Sequence, residues 1–190
     1  MDHFVEIWKR NREITALECY HYQMLGETCL SCLSLPGDVV ELGVYRGGSA
    51  LLLAEVLEGS DKTLHLFDTF VGLDALPEFK NTSLAEVMTN LQGTTIPILY
   101  HVGDVAKTLP AKEPREICFA HLDMDLYLST IHACRMLWPK IVPGGVILFD
   151  DYGFVQYVNE AKRAIDEFAS EMNLKIERFE RGCQAYLQKV

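Results

Sequence analysis

Four carboxylates in two short strings are the residues of this sequence best suited to chemistry. They lie in His121-Leu122-Asp123-Met124-Asp125-Leu126-Tyr127 and in Phe149-Asp150-Asp151-Tyr152. Each string follows a near-continuous apolar run, Ile117 to Leu122 and Gly145 to Phe149, as strands buried on both faces should read. Residues two apart on an extended chain point the same way, so Asp123 and Asp125 are expected to face one crevice. Asp150 and Asp151 stand where the second strand stops, and a turn there can aim both at the same crevice. Four like charges so close repel strongly unless a cation sits among them. Hard oxygen ligands in an incomplete cage suit Mg²⁺, which keeps positions open for water or substrate. Helix capping, the ordinary role of Asp after a strand, explains one Asp per turn and not two.

A second constellation lies upstream. Glu41-Leu42-Gly43-Val44-Tyr45-Arg46-Gly47-Gly48-Ser49 follows the first apolar run and opens a helix. That is where a doubly wound sheet binds an adenosine-containing ligand. The spacing is GxxxGG, not the GxGxxG of nicotinamide or flavin sites, and no phosphate loop of the GxxxxGK[ST] type is present. The next strand ends in Asp68, where a carboxylate can accept from both ribose hydroxyls. The third is followed by Gly103-Asp104, placed to meet an adenine edge. Acidic strand ends favour a cationic ligand over a polyphosphate, and S-adenosylmethionine, with its sulfonium, is such a ligand.

The elements that position these residues alternate along the chain. Residues 12–34 read as a helix stopped by Pro36-Gly37. Strands are expected at Val39 to Leu42, Thr63 to Phe67, Ile96 to Val102 and the two acidic-tipped runs, with a helix from Ser49 to Leu57. Ile131, Cys134 and Trp138 keep helical spacing, as do Phe154, Val158, Ala161, Ile165 and Phe168. The tail instead reads as a hairpin, Lys175 to Phe179 and Gln184 to Lys189, turning at Arg181-Gly182. The expected fold is α/β: a doubly wound, mostly parallel seven-stranded sheet with an antiparallel last strand. The chain reads as one domain over 1–190, with a helical segment over 1–36. Residues 69–95 form a long connection, with a capping box of Ser83 and Glu86, that reads as a lid.

Composition bounds the class. The chain has 190 residues, 49% of them hydrophobic and 23% charged, with a formal net charge of −10. So acidic a chain repels phosphate backbones and anionic membrane surfaces, so neither nucleic acid nor membrane is an expected partner. The opening MDHFVEIWKRNREITALE carries charges throughout, so no signal peptide is expected and the expected location is cytoplasmic. Cys29 and Cys32 form a CxxC with no second pair to complete a zinc site, and they read as small core hydrophobes. His121 reads as a core histidine, and Tyr20, His21 and Tyr22 as an aromatic packing face rather than an acceptor pocket.

In the strings GDVVELGVYRGGSA (37–50), FDTFVGL (67–73), LDMDLYLST (122–130) and WPKIVPGGVILFDDYG (138–153), the chain resembles class I S-adenosylmethionine-dependent methyltransferases. The closer resemblance is to the macrocin-type (TylF/MycF-like) sugar O-methyltransferases. It implies a Rossmann-like fold, Mg²⁺ held by Asp123, Asp150 and Asp151, and Asp125 as general base beside Asp123. It also implies S-adenosylmethionine contacts at Glu41, Gly43, Arg46, Gly48, Ser49, Asp68 and Asp104. Compared with that family, the N-terminal helical part and the 69–95 segment are abbreviated, and both are expected to shape the acceptor pocket.

The implied partner is a small-molecule hydroxyl acceptor, while assembly into a homo-oligomer is left open. An alkyl hydroxyl is a poor nucleophile at neutral pH; a metal favours its alkoxide-like form while a carboxylate takes the proton. Two adjacent oxygens on one metal would also fix the nucleophile in line, so the expected acceptor is a vicinal diol or catechol-like pair, and the resemblance implies a diol on a natural-product sugar. The alternatives are a catechol-like or an N- or C-acceptor, or a protein that binds S-adenosylmethionine without turnover. A nicotinamide-dependent oxidoreductase would need the GxGxxG turn and a YxxxK pair, and neither is present.

Overall fold

The apolar runs become the interior strands. The computed structural model describes residues 2–72, 79–112 and 114–190. Its strands are β1 (Asp38–Leu42), β2 (Leu64–Asp68), β3 (Ile98–Val102), β4 (Ile117–Leu122), β5 (Ile141–Phe149), β6 (Glu177–Arg178) and β7 (Ala185–Gln188). Its helices are α1 (Asp2–Asn11), α2 (Cys19–Cys32), α3 (Gly48–Val56), α4 (Leu84–Asn90), α5 (Val105–Lys112), α6 (Tyr127–Leu137) and α7 (Ala161–Glu171). One seven-stranded sheet runs in the order β3-β2-β1-β4-β5-β7-β6. β1 to β5 are parallel, and β7 inserts antiparallel between β5 and β6. The expected doubly wound, mostly parallel sheet with its reversed last strand is therefore the fold.

Every residue of β4 is buried, because helices cover both faces of the sheet. One core gathers Tyr22, Leu25, Leu52, Leu53 and Phe119 beneath α2 and α3; the other gathers Phe67, Leu137, Phe149, Ile165 and Phe168 beneath α6 and α7. Cys29 and Cys32 are buried free thiols, pushed above their ordinary range by burial, as core packing predicts. From β1 the chain winds outward to β2 and β3, whereas β4 and β5 lie on its other side. The loops leaving β1 and β4 diverge there and open a crevice at the carboxyl ends of the strands.

The N-terminal region departs from the expected single helix over 12–34. Residues 12–18 are irregular between α1 and α2 because tertiary partners claim their carbonyls. Arg46 Nη1 donates to Glu13 O at 2.8 Å, Gly48 N to Ile14 O at 3.2 Å, and Trp8 Nε1 to Leu17 O at 2.9 Å. The expected periodic run from Phe154 also shortens: a 3₁₀ turn occupies Val155–Tyr157, and α7 begins at Ala161. Ser83 caps α4 by accepting from Glu86 N at 3.2 Å, but the Glu86 carboxylate turns to Arg46 instead of closing the box. Part of the 69–95 connection, residues 73–78, lies outside the described residues. No helix among the described residues is long and apolar enough to cross a membrane.

Tyr22 ties the N-terminal helices to the start of α3. Its buried hydroxyl donates to Gly48 O at 3.0 Å and accepts from Asn11 Nδ2 at 3.0 Å. Tyr22→Phe strands both partners away from water and is expected to cost about 1–3 kcal/mol, read by urea denaturation.

Candidate active site

The sheet ladder continues one residue past the strand ends and so places the acids. Gly43 N donates to Phe67 O, Asp123 N to Leu42 O and Asp150 N to Leu122 O, at 3.0, 2.9 and 3.1 Å. Because Leu122 lies opposite Phe149, Asp123 and Asp150 leave adjacent strands side by side. The carboxylates of Asp123, Asp150 and Asp151 offer oxygens that all lie within 4.8 Å of one another. Desolvation, and then the charges of Asp150, Asp151, Asp125 and Glu41, push the Asp123 carboxyl well above the usual carboxylate range. Burial, with Asp125 and Asp150, does the same to Asp151.

Asp125 reaches the group by a turn rather than by strand alternation. The strand ends at Leu122, and Asp125 adopts φ 59°, a left-handed conformation that Asp tolerates better than most residues. Its N–H donates to Asp151 Oδ2 at 3.1 Å, and its carbonyl accepts from Ala161 N at 3.0 Å. Asp125 therefore faces the crevice as expected, for a different backbone reason.

The glycine loop is built around Asp68. Its Oδ2 accepts from Val44 N at 2.7 Å and Tyr45 N at 3.2 Å, while Oδ1 accepts from Phe70 N at 2.8 Å. Tyr45 sits at φ 51°, a strained value for an aromatic residue, held by Asp68 on its N–H and by the Thr82 hydroxyl on its carbonyl. Gly43 is required twice over. It has φ +85°, and an added Cβ would overlap the Asp123 carbonyl oxygen.

Between loop and carboxylates lies a cavity of about 580 Å³. Of the expected site residues, Gly43, Asp68, Asp104, Asp123, Asp125, Asp150 and Asp151 line it. Glu41, Arg46, Gly48 and Ser49 are not among its lining residues. Glu41 is fully buried against His121, Oε1 to Nδ1 at 2.9 Å, which makes His121 the core histidine expected. Arg46 turns to Glu86 and the Glu13 carbonyl; Gly48 and Ser49 are buried where α3 begins. Asp104 also caps α5, accepting from Ala106 N at 3.0 Å.

A family profile described as macrocin O-methyltransferase (TylF) matches residues 27–183. The chain belongs to the TylF family. Among curated TylF-like relatives, it is 28% identical over 163 residues to the demethyldecarbamoylnovobiocin O-methyltransferase of Streptomyces niveus, covering 74% of this chain and 61% of that protein. It is 25% identical over 142 residues to the mycinamicin III 3''-O-methyltransferase of Micromonospora griseorubida, covering 62% and 56%. The chain thus spans less than two thirds of the length of these relatives. Among solved structures, the O-methyltransferase NovP superposes with a TM-score of 0.83 at 23% identity, covering 93% of this chain and 82% of that one. The calicheamicin methyltransferase CalS11 gives 0.69 at 17%, covering 96% and 91%. Both share the fold.

Two site residues carried no strong signal in the TylF-family sequence. Gln184 is buried and donates Nε2 to Asp150 Oδ1 at 2.7 Å, although it reads as one polar position in a hairpin strand. His21 lines the cavity instead of packing with Tyr22 alone. Gly43→Ala should cost roughly 2–4 kcal/mol, because strain at positive φ adds to a collision with the backbone that carries Asp123. An unchanged denaturation midpoint would show that this backbone can give way.

Proposed function

We propose that the chain binds S-adenosylmethionine in this cavity and transfers its methyl group to a hydroxyl of a small molecule, a vicinal diol on a natural-product sugar. The observation that carries the reading is one cavity lined both by the glycine loop with Asp68 and by three clustered carboxylates. Membership of a family described as macrocin O-methyltransferases supports it, as do relatives named for novobiocin-type and mycinamicin substrates.

The carboxylates fit a divalent cation. They are hard oxygen donors, burial and neighbouring charges disfavour the ionised forms of Asp123 and Asp151, and a cation reverses that balance. Asp123, Asp150 and Asp151 would hold Mg²⁺, which when bound supplies Lewis acidity that favours the ionised form of a coordinated hydroxyl. Asp125, outside the trio but lining the same cavity, takes the hydroxyl proton on its carboxylate. Gln184 holds Asp150 in place, and the Asp125 N–H does the same for Asp151.

S-adenosylmethionine, when bound, supplies an electrophilic methyl group. Gly43 lets it approach the backbone, and Asp104 meets the adenine edge. Three backbone N–H groups occupy Asp68, whose remaining contact, from the Thr69 hydroxyl at 3.3 Å, is shared with Gly72 O. A carboxylate has about four acceptor sites, so Asp68 can take one ribose hydroxyl, in place of the shared Thr69 contact, and not the two expected from its sequence position. Arg46, Gly48 and Ser49 serve the cofactor through the shape of the loop, and Glu41, paired with His121 inside the sheet, through the strand that leads into it. From the described part of the 69–95 connection, Thr69, Gly72, Phe79 and Thr82 wall the ligands' side of the cavity.

The test uses radiolabelled S-adenosylmethionine with a panel of sugar and catechol diols. Wild-type protein should transfer label in Mg²⁺ and lose transfer on chelation. Asp125→Asn should keep S-adenosylhomocysteine affinity while transfer falls by about 100-fold or more. Normal turnover in Asp125→Asn removes the base assignment, and failure to bind S-adenosylhomocysteine removes the reading itself.

A further inference from the structure

The carboxylates that line the cavity can only accept hydrogen bonds when ionised. They recognise hydroxyl groups, but they cannot recognise an oxygen that itself only accepts, such as a sugar ring oxygen, an ether or a carbonyl. A neutral donor fixed in the wall is needed for that, and His21 on α2 has the construction of one.

His21 is nearly buried, at 3% exposure, and is one of the residues that line the cavity. Cys183 N donates to its Nε2 at 3.0 Å. A backbone N–H cannot accept, so Nε2 carries the lone pair, the ring is neutral, and its proton sits on Nδ1. Nδ1 has no hydrogen-bond partner among the described residues, and it is not one of the sealed, unpartnered polar atoms found there. The ring is held from several sides. Phe154 packs edge-on at 5.8 Å between centroids, and Gly182 approaches so closely that an added Cβ would stand 2.5 Å from Nε2.

The same frame carries the acid cluster. Gln184 Nε2 donates both to Asp150 Oδ1 at 2.7 Å and to His21 O at 3.2 Å, so one buried amide ties the histidine to a member of the trio. Gly153 N donates to Cys183 O at 2.7 Å, which fastens the 182–184 turn to the segment after Asp151. His21 therefore stands on the Asp150 and Phe154 side of the cavity.

We infer that His21 is an acceptor-positioning residue whose Nδ1–H donates to an accept-only oxygen beside the reacting diol, so that it selects sugars over simple diols. The inference rests on the methyl-transfer reading and adds a specificity element to it. The two ring nitrogens have separable duties. In His21→Gln the side-chain oxygen can still accept from Cys183 N but supplies no donor at the Nδ1 position. In His21→Asn the amide supplies that donor but forgoes the Cys183 anchor.

The test measures binding of methyl α-L-rhamnoside and of catechol to protein loaded with S-adenosylhomocysteine and Mg²⁺. His21→Gln should keep a near-wild-type melting temperature, weaken rhamnoside binding about 10-fold, and leave catechol binding within about twofold. His21→Asn should lose thermal stability yet keep most rhamnoside affinity. Imidazole ¹⁵N shifts of wild-type protein should report the Nδ1–H tautomer. An Nε2–H tautomer, equal losses for both ligands, no loss for either, or wild-type protein that takes up S-adenosylhomocysteine but not rhamnoside would overturn the inference. Failure to take up S-adenosylhomocysteine would instead overturn the methyl-transfer reading.

Discussion

Repulsion among the carboxylates at the ends of β4 and β5 is the constraint around which this end of the fold is arranged. The parallel register sets Asp123 beside Asp150, and the chain then adds Asp151 and Asp125 to the same low-dielectric corner. Left alone, such a cluster disfavours its own ionisation, as the raised Asp123 and Asp151 carboxyls show. Several features hold it together. Gly43 gives Asp123 room, Gln184 holds one oxygen of Asp150, and the left-handed turn at Asp125 brings its N–H onto Asp151. Each restrains a group that repulsion would otherwise turn toward solvent, and a cation in their midst would convert the repulsion into coordination.

The glycine loop obeys a second, linked constraint. Its backbone must turn sharply beside the same sheet end, and Tyr45 takes a conformation unfavourable for its side chain. Asp68 and Thr82 stabilise that turn from inside, while Arg46 pins it to Glu86 and to the Glu13 carbonyl. α4 and the irregular residues 12–18 thus fasten the loop as well as flanking it. A disturbance in either should reach the cavity through the loop, without any direct ligand contact.

The sheet was legible because interior parallel strands leave continuous apolar runs, and Ile117 to Leu122 is buried at every position. The acids were legible because two Asp at a strand end exceed what capping requires. Other features were hidden because their causes are not local. The helix expected over 12–34 breaks because Arg46, Gly48 and Trp8 take its carbonyls. Asp125 faces the crevice through a positive φ and not through strand alternation. His21 and Gln184 join Asp150 across a separation in sequence that no spacing rule spans. Arg46, expected as a cofactor contact, instead clamps the loop to Glu86 and to the Glu13 carbonyl, partners far from it in sequence.

The central claim, that the acidic trio is a cation site, is tested most directly by Mn²⁺ titration followed by electron paramagnetic resonance. Wild-type protein should take up a single Mn²⁺ per chain, displaceable by Mg²⁺, and Asp123→Asn should abolish that uptake while its circular dichroism spectrum stays unchanged. Uptake in Asp123→Asn equal to that of wild type, or none in either protein, would contradict the account.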